Sequence, residues 1–235
     1  MLRTTFRSSP YIILFSIIIL LPLIGSVWIH SLFWKYNLST PFSLILFLLS
    51  FLFLYIVLFM LESSIIFRLL KGKIREGEYF MDRPNTIVAY WGVSYMLFRI
   101  CSRLLSILPI PKEIVNLICL KTAGASVGKN CILSGDISDP LIVEIGDNCV
   151  IGGNSLILCH SIEGNRLIFK KTKLEDNVTV GANSIVSAGA TIGKNTIVGA
   201  LSFVKKGQTL DPNSIYVGIP SKKVGEISVD YDPQI

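Results

Sequence analysis

Hydrophobic and polar positions divide this chain into two unlike halves. In the first, no charged residue occurs between Arg7 and Lys35, a run of 27 residues, nor between Lys35 and Glu62, a run of 26. About 20 apolar residues span the hydrocarbon of a bilayer, so each run is long enough to cross it with tilt. The runs predict two membrane helices, over about 11–29 and 42–61, with a turn at Asn37, Ser39, Thr40 and Pro41. Trp28, Trp34 and Tyr36 stand where an interfacial aromatic belt is expected. Residues 85–108 are apolar again, but Arg99 and Arg103 interrupt them four positions apart, on one helix face. Trp91, Met96, Leu97, Ile100, Leu104 and Leu105 supply apolar surface. The pattern predicts a helix lying in the membrane interface, in preference to a short third span or a core helix. Pro109 and Pro111 end it.

The second half has a six-residue period, the kind of internal repeat that decides a fold before anything else. Aliphatic residues recur at Val127, Leu133, Ile145, Ile151 and Ile157, and after a break at Leu174, Val180, Val186, Ile192, Val198, Val204 and Leu210. Asp139 takes the one odd slot, so 12 of 13 positions are aliphatic. Glycine follows at 128, 146, 152, 181, 193 and 199. Small or β-branched residues such as Cys131, Cys149, Ser155, Ser184, Ala190, Thr196 and Ser202 come three positions later. The pattern resembles the hexapeptide repeat of the left-handed parallel β-helix. On that reading each hexad is a short strand and a corner, and the aliphatic side chain points inward. Three hexads make an 18-residue coil, so Cys131 should stack on Cys149. Stacking neighbours is what buries such a core. The fold class expected is thus all-β, a left-handed parallel β-helix preceded by a two-helix transmembrane hairpin and an interfacial helix. The expected boundaries are 1–80 for the hairpin and its basic flank, 81–121 for the interfacial helix and linker, 122–225 for the β-helix and 226–235 for a tail.

Composition and charge sharpen this. Of 235 residues, 51% are hydrophobic and 16% charged, and mean hydropathy is +0.60. A soluble domain carries roughly 25% charged residues. A wholly soluble chain is therefore disfavoured, and so is disorder, which needs low hydrophobicity. Residues 1–121 hold 12 Lys/Arg against 5 Asp/Glu, and residues 122–235 hold 10 against 11. The positive excess lies in the apolar half, which fits a membrane protein with basic flanks and not a nucleic-acid binder. Arg3 and Arg7 precede the hairpin, and Arg68, Lys71, Lys73 and Arg75 follow it, with Lys35 alone in the turn. Both ends are expected in the cytoplasm, with the cluster over 68–75 placed to meet anionic headgroups. A cleaved signal peptide competes for the first run, but no small-residue cleavage site follows it and a second apolar run does. The five cysteines, at 101, 119, 131, 149 and 159, form no CxxC pair, which fits free thiols.

The candidate chemistry sits at the break in the repeat. The break runs from about 161 to 173, shifts the period by five and ejects a loop, and His160 stands at its root. Loops leaving a rigid scaffold tend to carry function. The other histidine, His30, ends the first span and reads as an interfacial polar residue. A histidine titrates near neutrality and can take a proton from an attacking hydroxyl or amine.

The residues Ile145-Gly-Asp-Asn-Cys-Val-Ile-Gly152, the His160 loop, Val180-Gly-Ala-Asn-Ser184, Thr191-Ile-Gly193 and Ile197-Val-Gly-Ala-Leu-Ser-Phe-Val-Lys205 resemble the hexapeptide acyltransferases, nearest to the maltose, galactoside and xenobiotic acetyltransferases. Val217-Gly-Ile-Pro-Ser-Lys-Lys-Val224 resembles their closing motif, with Ile219 and Ser221 in place of its Asn and Ala. The resemblance covers about 122–225. It implies a homotrimer that holds acetyl-CoA, or another acyl-CoA, in the groove between neighbouring β-helices. It implies His160 as general base, Ala182 and Ala200 beside the pantetheine arm, Lys205 and Lys206 near the nucleotide phosphates, and Pro220 near the adenine. Ser161 replaces the proline that often follows the family's histidine. The layout as a whole, with Leu120-Lys-Thr-Ala-Gly-Ala-Ser-Val-Gly128, Asp139-Pro140 and His160-Ser-Ile-Glu-Gly-Asn-Arg-Leu167, resembles the C-terminal modules of membrane-bound nonribosomal-peptide-synthetase-like proteins. That second resemblance implies a carrier-protein thioester as an alternative donor.

These features predict a multi-pass protein of the cell membrane with its β-helix in the cytoplasm. It would move an acyl group, typically acetyl, to a membrane-associated acceptor such as a lipid-linked glycan. A non-catalytic trimeric membrane scaffold is the rival reading. A γ-type carbonic anhydrase needs three histidines per site, which a repeat holding only His160 does not supply, so no metal is expected. Cys159 beside His160 could be a nucleophile, but adjacent strand residues point to opposite faces.

Overall fold

The computed structural model describes residues 9–33, 40–82 and 84–227, with side chains over 16–32 in the first stretch. The chain forms two compact units, Met1–Leu69 and Leu70–Ile235.

The first unit holds two helices, α1 (Ser9–Phe33) and α2 (Pro41–Leu70). Pro41 opens α2, where its missing N–H is not needed, and the Thr40 hydroxyl accepts the Ser43 N–H at 3.2 Å. Gly25 of α1 lets the Leu58 side chain approach, since a Cβ there would stand 3.2 Å from it. His30 is only 9% exposed. Its ring meets the Ser50 hydroxyl at 3.1 Å and the edges of Phe47 and Phe51, so it joins the helices instead of facing an interface. Other large apolar side chains point outward: Leu21, Ile24, Trp28, Leu49, Phe53 and Leu61 are exposed. Pro41–Leu70 is long and apolar enough to cross a membrane by length and composition. The described side chains of α1 form a shorter apolar stretch, Ser16–Leu32. Arg3, Arg7, Trp34, Lys35, Tyr36, Asn37 and Ser39, on which the expected topology leans, lie outside the described residues.

The second unit is a three-faced parallel β-helix capped by helices, so the molecule is not all-β. One face stacks Ser126–Val127, Val143–Ile145, Thr172–Leu174, Thr191–Ile192 and Thr209–Leu210. A second stacks Ile132–Leu133, Val150–Ile151, Thr179–Val180, Ile197–Val198 and Ser214–Val217, and is closed by antiparallel Lys222–Glu226. The third stacks Asp136–Ile137, Leu156–Ile157, Ile185–Val186 and Phe203–Val204. The periodic aliphatic residues point inward and are buried, as in Ile145 over Leu174 and Ile192, and Ile151 over Val180 and Val198. A Cβ on Gly181 would run into the Ala200 backbone of the next coil, which is why glycine follows the inward residue there. Cys131 falls on Cys149 in this register; Cys149 is buried, while Cys131, in the first coil, is half-buried.

Asparagines hold the corner between the first two faces. Asn130, Asn148, Asn177, Asn195 and Asn213 all have φ between 53° and 57°, a left-handed conformation that asparagine tolerates. From Asn130 to Asn195 each side-chain amide donates to the side-chain carbonyl of the asparagine in the next coil, at 3.3, 3.1, 2.8 and 2.7 Å.

Helix α3 (Thr86–Leu105) is capped by Asn85, whose side chain accepts from the Ile87 and Val88 N–H groups. It packs on α4 (Lys112–Ala123), which covers the first coil. The Asn116 amide of α4 donates to the Leu133 and Gly135 carbonyls at 2.7 and 2.9 Å. The expected interfacial helix thus differs in the structure. Val93, Leu97, Phe98, Cys101 and Leu105 of α3 are buried within the second unit, and the exposed side keeps Met96, Arg99 and Arg103. A helix with one apolar stripe suits a bilayer surface and a protein surface equally, and here the protein takes it.

Candidate active site

The ejected loop is a β-hairpin. His160–Glu163 pairs antiparallel with Arg166–Phe169, and Gly164 at φ 62° with Asn165 makes the two-residue turn. A third strand, Gly77–Phe80, pairs with Arg166–Phe169 from the other side. The hairpin's inner residues, Leu167, Ile168 and Phe169, are buried. Phe169 lies between Tyr79 at 5.7 Å and Trp91 at 5.8 Å, ring centre to ring centre.

The root of this hairpin is set by an irregularity in the first coil. On the first two faces that coil stacks 18 residues from the next, as in Val127 on Ile145. On the third face Ile137 stacks on Ile157, two residues out of step. Ile137 therefore fills the inward slot that the period assigns to Asp139. The carboxylate of Asp139 turns instead to the base of the hairpin, where the residue is 4% exposed.

Four donors converge on it. Trp91 Nε1–H donates to Oδ1 at 2.9 Å. His160 Nδ1 meets Oδ2 at 2.8 Å, and the Cys159 N–H donates to Oδ2 at 3.0 Å. The Ser138 hydroxyl also donates to Oδ2. Burial pushes the Asp139 carboxyl up, but the His160, Ser138 and Trp91 donors outweigh it and hold it below the usual carboxylate range. The ionised form is the one that accepts all four bonds. With Nδ1 donating to Asp139, Nε2 is the ring nitrogen left as acceptor.

Trp91 and Tyr95 of α3 wall the imidazole at ring-centre distances of 5.0 and 6.3 Å. The His160 side chain stays 16% exposed and lines a cleft of about 180 Å³ between α3 and the third face. Cys159 is fully buried, and burial, followed by the Asp139 charge, pushes its thiol up to about 12. A thiol held neutral and away from the cleft makes no nucleophile at neutral pH. Among the described residues no group of three or more His, Cys, Asp or Glu side chains could hold a metal ion.

The remaining expected residues fall in two places. Ala182 and Ala200 stack one coil apart at the corner between the second and third faces, where the Leu201 N–H donates to the Ala182 carbonyl at 3.0 Å. Lys205 and Lys206 follow the third face, on the same side of the coil as His160. Lys206 is ion-paired with Glu163 of the hairpin, whereas Lys205 is exposed. Pro220 is exposed in the turn that closes the last coil. Within one chain the structure thus brings Lys206 to the His160 hairpin and leaves the alanines at another corner. Asp139, Trp91 and Tyr95 are the residues that the sequence reading missed as parts of a site. The signal for Asp139 was its own odd slot in the period; Trp91 had only its place on an apolar stripe.

Residues 171–206 match the family model described as bacterial transferase hexapeptide (six repeats), and residues 142–163 match the hexapeptide repeat of succinyl-transferase. Over these two stretches the coils match the hexapeptide repeat described for such transferases. Solved structures with a similar fold include a hexapeptide-repeat-containing acetyltransferase from Vibrio cholerae, 17% identical over 59% of this chain and 93% of its own, at a TM-score of 0.48. A galactoside acetyltransferase in complex with coenzyme A is 18% identical over 59% of this chain and 82% of its own, at a TM-score of 0.48. A maltose O-acetyltransferase from Clostridium difficile is 20% identical over 66% and 95%, at 0.46. No curated protein matches the chain.

Proposed function

We propose that this protein is a membrane-anchored acyltransferase that moves an acyl group from a CoA thioester to a hydroxyl or amine, with His160 as general base. The observation that carries the reading is the buried Asp139–His160 pair at the one break in a transferase-type repeat, with the imidazole open to a cleft. Asp139 fixes the tautomer and ring orientation and stabilises the imidazolium once it forms. Nε2 takes the acceptor proton as the new oxygen–carbon or nitrogen–carbon bond forms. The carbon–sulfur bond then breaks, and the imidazolium returns the proton to the leaving thiolate. Proton transfer of this kind contributes roughly 10²–10⁴-fold. Positioning in a groove between subunits supplies much of the rest.

The assembly would be a homotrimer, since Ala182, Ala200 and Pro220 stand at different edges of one chain from His160 and need a neighbouring subunit to meet it. Ala182 and Ala200 leave the coil corner open for a pantetheine arm, and Lys205 and Pro220 are exposed where the nucleotide would lie. Lys206 has a second use, the ion pair with Glu163. The two helices of the first unit would form a hairpin anchor with both ends in the cytoplasm and the acceptor at the membrane. Lys71 and Lys73 of the basic flank also serve the protein, on the Gly124 carbonyl at 3.2 Å and over the Tyr90 ring at 5.1 Å.

The test is His160→Ala in the full chain. Transfer should fall at least a hundredfold while trimer and donor affinity persist, because the base acts in the transition state. Retention of more than about a tenth of wild-type turnover would remove His160 from the role.

A further inference from the structure

The cleft beside His160 holds one charge that no carboxylate among the described residues answers. Arg99 lines it from α3, is exposed, and has no carboxylate partner among the described residues. The carboxylates in or behind the cleft wall are accounted for. Asp136 is paired with Lys112 at 2.9 Å, and Asp139 is enclosed by its own donors. Ser102, which also lines the cleft, lies three residues beyond Arg99 on α3, so a hydroxyl and a guanidinium stand side by side on one helix face. A planar guanidinium with a neighbouring hydroxyl suits a group that offers several acceptor oxygens at once, and a phosphate does so. Small-molecule pockets run from roughly 300 to 1,000 Å³, so a cleft of about 180 Å³ admits a head group and leaves the remainder of its ligand outside.

We infer that the acceptor carries a phosphate, held by Arg99 and Ser102 while a neighbouring hydroxyl or amine reaches His160. This rests on the acyl-transfer reading and adds the acceptor's class. The shared chemistry is a hydroxyl-bearing phosphate ester, and its source is either a free sugar or polyol phosphate or a phospholipid headgroup.

The experiment uses the full chain in phosphatidylcholine nanodiscs. Equilibrium dialysis would follow sn-glycerol 3-phosphate and glucose 1-phosphate, with glycerol and glucose as neutral counterparts, on wild type, His160→Ala and Arg99→Ala. Turnover would then be measured with acetyl-CoA and each acceptor, and again in nanodiscs containing phosphatidylglycerol. The phosphorylated probes should bind wild type and His160→Ala roughly ten- to a hundredfold more tightly than Arg99→Ala, with Arg99→Lys between them. In turnover, Arg99→Ala should raise KM by the same factor and nearly preserve kcat, while Arg103→Ala one turn away changes neither. Acylation of phosphatidylglycerol that free phosphates do not suppress would assign the lipid source, and the reverse would assign the soluble one. Failure of both phosphates to bind, or equal binding to wild type and Arg99→Ala, would overturn the inference. Transfer to neutral acceptors that Arg99→Ala leaves unchanged would overturn it while sparing the acyltransferase reading. Arg99-dependent phosphate binding with no transfer in any arm would sink that reading and leave the anion site standing.

Discussion

Asp139 is the residue on which the site turns. Its carboxylate accepts from Trp91, Ser138, the Cys159 backbone and His160, and these bonds orient the imidazole before any substrate arrives. Asp139→Asn keeps the size but puts an N–H₂ among four donors. It should reduce turnover roughly 10²–10⁴-fold with donor binding intact, by analogy with removal of the carboxylate from a Ser-His-Asp triad. It should also lower stability by at least about 2 kcal/mol at neutral pH, since bonds to a charged group are lost. The pH sign follows from the lowered carboxyl. A depressed folded-state pKa contributes stability that is complete above the ordinary value of 3.8 and fades as pH falls through the lower folded value. Thermal melts should therefore show a gap between wild type and Asp139→Asn that persists down to about pH 4 and narrows below it. A gap that narrowed between pH 7 and 5 would show that Asp139 does not stay ionised.

Two elements carry the scaffold that holds this pair. In the asparagine ladder the three inner side chains, Asn148, Asn177 and Asn195, both tolerate the left-handed corner and bond to the coils above and below. Asn177→Gly keeps the backbone freedom and loses the two amide bonds, which is expected to cost about 1–2 kcal/mol. Asn177→Ala should cost about 1 kcal/mol more, because alanine resists φ near 57°. Equal chemical-denaturation midpoints for the two variants would refute this. The strand Gly77–Phe80 is the second element. The Met81 N–H donates to the Asn165 carbonyl at 2.8 Å, and antiparallel bonds alternate, so the Tyr79 N–H faces the hairpin. Tyr79→Pro removes that donor and the ring against Phe169. Amide exchange over 166–169 should accelerate and turnover should fall, with the coils beyond 174 still protected. Unchanged exchange in the hairpin would show that the strand does not support it.

At the scale of the molecule, the proposed site needs more than one chain. Mass photometry in nanodiscs is expected to find trimers, and His160→Ala mixed with a donor-groove variant such as Ala200→Trp should recover part of the activity through mixed interfaces. Monomers alone, or no recovery, would count against a shared site.

How much of this could be read from the chain depends on the range of each interaction. The β-helix was legible because its core repeats locally: each inward residue needs an aliphatic side chain six positions on, so the period records the coil. The break at His160 was legible for the same reason, as a lapse in that period. The asparagine spacing at 130, 148, 177, 195 and 213 is equally visible, but asparagine is common at turns of every kind, so the spacing marks a corner without stating that the side chains bond from coil to coil. What only the tertiary structure decided is long-range. Trp91 lies 48 residues from Asp139, and Gly77–Phe80 lies far before its hairpin partner, and no local pattern encodes either pairing. The apolar stripe of α3 states that the helix must bury a face and is silent on whether lipid or protein covers it. The two-residue slip that places Ile137 over Ile157 frees Asp139, and such a slip is settled by packing against the neighbouring coil, not by the residues that make it.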